Sequence, residues 1–143
     1  MDLNFFTSVN VINNFIGDMK KNNWGRVITI SSIASKKVVG RPWYIIAKKA
    51  EITLTRALSV KKEFVRNGIT FNTVSPGAIM IPDTGCDERQ KEDPTKFKKL
   101  VDNKFPMGKL GTPEDVANSR TCSAAVLVIL IVKGFFWFSI ISL

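Results

Sequence analysis

Val27-Ile28-Thr29-Ile30-Ser31-Ser32 is a short apolar run, rich in β-branched residues, that stops on two serines. Such a run marks a strand buried on both faces of a parallel sheet. Downstream, a polar, glycine-containing loop leads to Pro42, and residues 43–66 sustain a long helical pattern that Asn67-Gly68 can close in a left-handed turn. Residues 69–75 read as the next strand, broken by Pro76-Gly77. Strand, long helix, strand predicts a parallel pair joined by a right-handed crossover, with both strands ending at the same edge of the sheet. Upstream, Phe5, Val9, Ile12, Ile16 and Met19 form one apolar stripe and predict a helix over 5–21, with Gly25 ending the connection. The fold class is α/β. Ligands of open α/β sheets bind outside the carboxyl ends of the strands, so Ser32 and Pro76-Gly77 are expected in one crevice.

Residues 79–105 form a long excursion with the length and makeup of a substrate lid. One helix is expected there, with Asp93 as N-cap and Pro94 in the first turn. Thr112-Pro113-Glu114-Asp115 is a capping box that opens another helix.

With 143 residues, 45% hydrophobic and 23% charged, the default is a single folding unit. A net charge of +9 permits attraction to anions, but no basic run is interleaved with stacking aromatics, so no nucleic-acid partner is expected. The two cysteines, Cys86 and Cys122, make no CxxC pair, which fits a reducing, cytoplasmic setting. Met1-Asp2-Leu3-Asn4 has no basic region ahead of an apolar stretch and does not read as a secretory signal. Histidine is absent, which removes Ser-His-Asp, Cys-His and histidine-ligated metal mechanisms, and no metal site is indicated. Acid–base chemistry must then run on Tyr, Lys, Asp or Glu.

Tyr44 and Lys48 supply such a pair: four apart in a helical segment, they share a face one turn apart, where an ammonium eases exchange of the phenolic proton. A tyrosine and a lysine at this spacing recur on many solvated helices, so context must decide. A serine closes a buried strand twelve residues before Tyr44, and a Pro-Gly turn closes the strand after its helix. In this the chain resembles the short-chain dehydrogenase/reductase family, and within it the 3-oxoacyl-(acyl carrier protein) reductase-like members. Val27 to Ser32 resembles the family's catalytic-serine strand, Tyr44-Ile45-Ile46-Ala47-Lys48 its YxxxK, and Asn72-Thr73-Val74-Ser75-Pro76-Gly77 the turn that meets the nicotinamide. Asn4 lies at the usual distance ahead of the serine for the fourth catalytic residue.

The resemblance implies an NAD(P)-dependent oxidoreductase moving hydride between NAD or NADP and a small-molecule carbonyl or secondary alcohol. Ser32 would polarise the carbonyl, Tyr44 would act as general acid, and Lys48 would assist the phenol and hold the nicotinamide ribose. Asn4 would anchor a water in a proton relay; an N-cap or helix-start role is the bland alternative. Pro76, Gly77 and Ile79 would line the nicotinamide pocket. Ser31, facing the other way on a strand, is expected to pack. Family members pair the helices matching 5–21 and 43–66, which implies a homo-oligomer.

Ile81 stands where the family commonly has a threonine, with Thr84 nearby. The sequence contains no GxG, so the glycine-rich pyrophosphate site is absent from it, and the expected fold is a partial Rossmann-like doubly wound parallel sheet lacking its first strands. The resemblance ends near Asn118, so residues 1–118 read as the catalytic half and 119–143 as a divergent hydrophobic tail. Residues 124–143 carry one charge, Lys133, and are long enough to cross a bilayer. A shifted reading frame accounts for the abrupt end equally well and is preferred to a purposeful anchor. The competing functional reading is a non-catalytic remnant that acts as an interaction or membrane-tethered protein.

Overall fold

The computed structural model describes residues 2–38 and 40–118, and the backbone of 127–132 and 135–140. The expected first helix is present with a different start: Asp2–Phe6 is a π-helical turn, followed by α1, Thr7–Lys21. From its apolar stripe Ile12 is fully buried, while Ile16 and Met19 pack beside it. Strand β1, Gly25–Ile30, starts two residues earlier than the apolar run suggests. Gly25 belongs to the strand, opposite Ile69, and a Cβ there would lie 2.6 Å from the Met19 sulfur. Helix packing, rather than turn geometry, therefore calls for the glycine.

The polar loop after β1 contains one short helix, α2, Ala34–Lys37, ended by Val38 in the left-handed region. Pro42 opens α3, Pro42–Ser59, its fixed φ suiting the first turn. The single helix expected over 43–66 is broken. After Ser59 the chain turns through Val60 and an extended Lys61 into α4, Lys62–Val65. The break brings Phe64 back into the core, its ring 5.2 Å from that of Phe71. Burying that aromatic outweighs continuing the helical hydrogen bonds by one more turn. Gly68 makes the left-handed stop at φ +65°, under the Asn23 carbonyl.

Strand β2, Ile69–Val74, runs parallel to β1, with Val27 opposite Phe71 and Thr29 opposite Thr73. Val27, Ile69 and Phe71 thus share one face, and meet Ile12, Phe64, Leu54 and Leu58 from the helices above. At the end of that face the Thr29 hydroxyl lies 2.9 Å from those of Thr55 and Thr73, tying α3 to both strands through polar contacts.

Of the tail read as 119–143, the backbone is described at 127–132 and 135–140, and the reading of 124–143 as one span lies outside the described residues. The described backbone forms two strands, β3, Leu127–Val132, and β4, Phe135–Ile140, and the sheet order is β2-β1-β3-β4. β3 is parallel to β1 and β4 antiparallel to β3. A sheet without its first strands leaves β1 with an unpaired edge, and β3 fills it. Among the described residues no helix is long and apolar enough to cross a membrane.

The chain divides into two compact units, residues 1–75 with 122–143, and residues 76–121. Over residues 79–105 of the second unit, where one helix was expected, there are two, α5, Gly85–Glu92, and α6, Pro94–Lys104. Asp93 caps α6 by accepting from the Lys96 N–H at 2.9 Å. The capping box opens α7, Pro113–Asn118: Thr112 Oγ1 accepts from the Asp115 N–H, and Asp115 Oδ2 from the Thr112 N–H.

Candidate active site

The carboxyl end of β1 is built by hydrogen bonds on both of its sides. Ser31 N–H donates to the Val74 carbonyl, extending the ladder to β2 by one residue. The buried Ser31 hydroxyl donates to the Lys48 carbonyl at 2.7 Å, which fastens α3 to the strand end. Ser32, next in the chain, is half-buried, and its Oγ accepts from the Ala34 N–H at the start of α2. Its carbonyl accepts the Ser35 hydroxyl at 2.6 Å. The two serines therefore do separate work: one holds the helix, the other lies open at the turn.

Tyr44 and Lys48 sit one turn apart on α3 in contrasting surroundings. Tyr44 follows Pro42 and Trp43 in the first turn and is 36% exposed, whereas Lys48 is 1% exposed. The Lys48 ammonium donates to the Ile30 carbonyl at 2.9 Å and to Glu51 Oε2 at 2.8 Å. Glu51, equally sealed, receives a second hydrogen bond at Oε1 from the buried Ser8 hydroxyl, 2.7 Å away on α1. Burial pushes the Glu51 carboxyl above its ordinary value, outweighing the Lys48 charge and the hydrogen bonds from Lys48 and Ser8, which pull it down. Every buried side-chain nitrogen and oxygen among the described residues has a partner.

Asn4 lies half-buried in the π-helical turn, which packs against α3. Lys48 is thus tied to the carboxyl end of β1, Ser32 follows two residues after that strand, Tyr44 lies one turn earlier on α3, and the turn of Asn4 packs against the same helix. Pro76, Gly77 and Ile79 belong to the second unit, where Ile79 forms a parallel bridge with Gly111. Thr84, the alternative to Ile81, donates its hydroxyl to the Ile81 carbonyl and opens α5. Sequence reading passed over Glu51 and Ser8. The Lys48-x-x-Glu51 spacing is visible in the sequence, but it usually marks a solvated ion pair. Ser8, 43 residues from Glu51, carries no local signal.

A family model described as enoyl-(acyl carrier protein) reductase matches residues 1–124. The chain belongs to the short-chain dehydrogenase/reductase family. The match runs six residues beyond Asn118, where the resemblance was expected to end. A (2S)-((R)-hydroxy(phenyl)methyl)succinyl-CoA dehydrogenase subunit of Thauera aromatica is 38% identical over 103 residues, 72% of this chain and 38% of its own length. A 3-oxoacyl-(acyl-carrier-protein) reductase of Rickettsia felis is 35% identical over 123 residues, 83% of this chain and 46% of its own. The crystal structure of a short-chain dehydrogenase/reductase family oxidoreductase from Burkholderia thailandensis superposes with TM-score 0.71 at 25% identity, covering 81% of this chain and 44% of that one. The chain spans less than half the length of these relatives.

Proposed function

We propose that these residues form the catalytic part of an NAD(P)-dependent oxidoreductase that interconverts a small-molecule carbonyl and a secondary alcohol. The observation that carries this reading is the pairing on α3 of a solvent-facing phenol, Tyr44, with an ammonium one turn away, Lys48, tied to the carboxyl end of β1. The nicotinamide, when bound, supplies or accepts the hydride. Tyr44 exchanges the proton with the substrate oxygen, and Ser32, at the open turn after β1, hydrogen-bonds that oxygen. Two of the three Lys48 N–H bonds are committed to Ile30 and Glu51, which leaves one for a ribose hydroxyl. Asn4 anchors a relay water, and Pro76, Gly77 and Ile79 contribute backbone contacts to the nicotinamide. These are the candidate residues for the nicotinamide end of the dinucleotide, and no GxG in the 143 residues offers a cradle for its pyrophosphate.

The protein works as a homo-oligomer in a reducing, cytoplasmic setting, through the helices over 5–21 and 43–66; Trp43 and Ile46 are exposed on α3. The deciding experiment joins the chain behind the glycine-rich half of a relative and follows reduction of a test ketone by NADPH and by NADH. Tyr44→Phe should lower turnover by about 10²–10⁴-fold and leave cofactor affinity nearly intact. Unchanged turnover would remove Tyr44 from the mechanism. Cofactor binding absent from the joined protein would favour the non-catalytic reading.

A further inference from the structure

Lys48 and Glu51 are a sealed ion pair in the helix that carries Tyr44, and among the described residues two further groups bond the pair's charged ends. They are the Ile30 carbonyl on β1, 2.9 Å from the ammonium, and the Ser8 hydroxyl on α1, 2.7 Å from the far carboxylate oxygen. Backbone bonds hold the pair from behind: Ser31 donates to the Lys48 carbonyl and Thr55 to that of Glu51. A lysine carries four rotatable bonds, and an ammonium buried without an anion sheds its proton or swings out to water. Neither the neutral nor the swung form could serve a phenol on the same helix. The sheet supplies only a carbonyl dipole, so direction and charge both depend on the carboxylate.

We infer that Glu51 is the positioning residue for Lys48, with the Ser8 hydroxyl fixing the carboxylate, so that two ammonium N–H bonds are anchored and the cation is held charged one turn from Tyr44. This rests on the reading of Lys48 as the lysine that serves cofactor and tyrosine. Three elements converge on the arrangement: α1 brings Ser8, α3 brings Lys48 and Glu51, and β1 brings Ile30. The acid acts only through the cation.

The test uses the full 143-residue chain with ¹³C,¹⁵N-labelled lysine. An ammonium gives a ¹H–¹⁵N correlation only where exchange with water is slow, and Lys48→Met identifies the Lys48 signal. The wild-type chain should show that correlation. Glu51→Gln should erase it or speed its proton exchange by about tenfold or more, the consequence of losing one charge-assisted hydrogen bond. Glu51→Asp should restore part of the protection, which a purely structural role in filling space would not predict. A Lys48 correlation missing from the wild type, or unchanged in Glu51→Gln, overturns the assignment. If circular dichroism shows Glu51→Gln to be unfolded, Ser8→Ala decides: a displaced Lys48 signal supports the arrangement and an unmoved one overturns it. Titration with NADP⁺ is read separately. A Lys48 signal indifferent to NADP⁺ counts against the cofactor reading and leaves the Glu51 arrangement standing.

Discussion

Lys48 is sealed within the protein and Tyr44, one turn earlier, faces solvent, so the two partners of the YxxxK meet different costs. An ionised pair in the interior is held by mutual attraction and hydrogen bonds against loss of hydration, and removing one partner strands the other charge. Lys48→Met should therefore lower stability in urea unfolding by about 3–5 kcal/mol. Combining it with Glu51→Leu and Ser8→Ala, which removes the stranded acid and its donor, should recover most of that loss. A single variant within about 0.5 kcal/mol of wild type, the range of ordinary surface changes, would contradict the buried pair. The raised Glu51 carboxyl also sets a pH dependence. Between the ordinary value of 4.5 and the raised one the unfolded chain has lost this proton while the folded one keeps it, so folding takes up a proton there. The contribution is full below that value and is lost as pH rises through the raised one. Glu51→Gln should remove this downward slope, seen as unfolding midpoints of the two proteins that are not parallel as pH rises from the ordinary carboxyl value. Parallel midpoints would contradict it.

Element boundaries are set by single residues whose geometry can be tested one at a time. At Gly68, with φ +65°, a Cβ would stand 2.7 Å from the Asn23 carbonyl oxygen, which is backbone and cannot yield cheaply. Gly68→Ala should destabilise by more than about 1 kcal/mol in denaturant unfolding, and a stabilised variant would show that the turn can relax. The two caps in residues 76–121 behave as local devices. Asp93→Ala should cost about 1 kcal/mol, read as faster amide exchange in the first turn of α6. The Asp115 carboxyl is held below its ordinary value by the backbone hydrogen bond from Thr112 and then by the Thr112 side chain. Its stabilising contribution is present above the unfolded value and is lost as pH falls through the lowered one. The α7 amides should accordingly lose protection on acidification, and constant protection would contradict the cap.

At the scale of the whole molecule, β1 is the hub, paired with β2 on one side and β3 on the other. The β1–β3 register sets Val27 opposite Leu127, Ile28 opposite Val128 and Thr29 opposite Ile129. Proline at Val128 removes a donor and disfavours a central strand. Hydrogen exchange over Val27 to Thr29 should speed up in Val128→Pro while the capped helices α6 and α7 keep their protection. Unaltered exchange in β1 would mean that β3 does not protect that edge. Self-association belongs to the same scale: Ile46→Asp, on the exposed face of α3, should shift the chain toward monomer in sedimentation. A wild type that is already monomeric at all concentrations would remove α3 as an interface.

Local pattern alone determined the strand over Val27–Ile30, the helix opened by Pro42, the caps at Asp93 and Thr112, and the Tyr44–Lys48 spacing, because each follows from periodicity or from a side chain bonding its own neighbourhood. Those elements, with the turn after residues 69–74, were enough to point to the family. Three features depended on the tertiary structure. The helix breaks after Ser59 because Phe64 finds Phe71, seven residues further along the chain and across the core. The apolar tail is two strands because β1 offers an edge, and an apolar run reads alike as a strand or a buried helix until a partner is known. Lys48 is held by Glu51 and Ser8 because α1 and α3 pack together, and a hydrogen bond spanning 43 residues leaves no trace in local spacing.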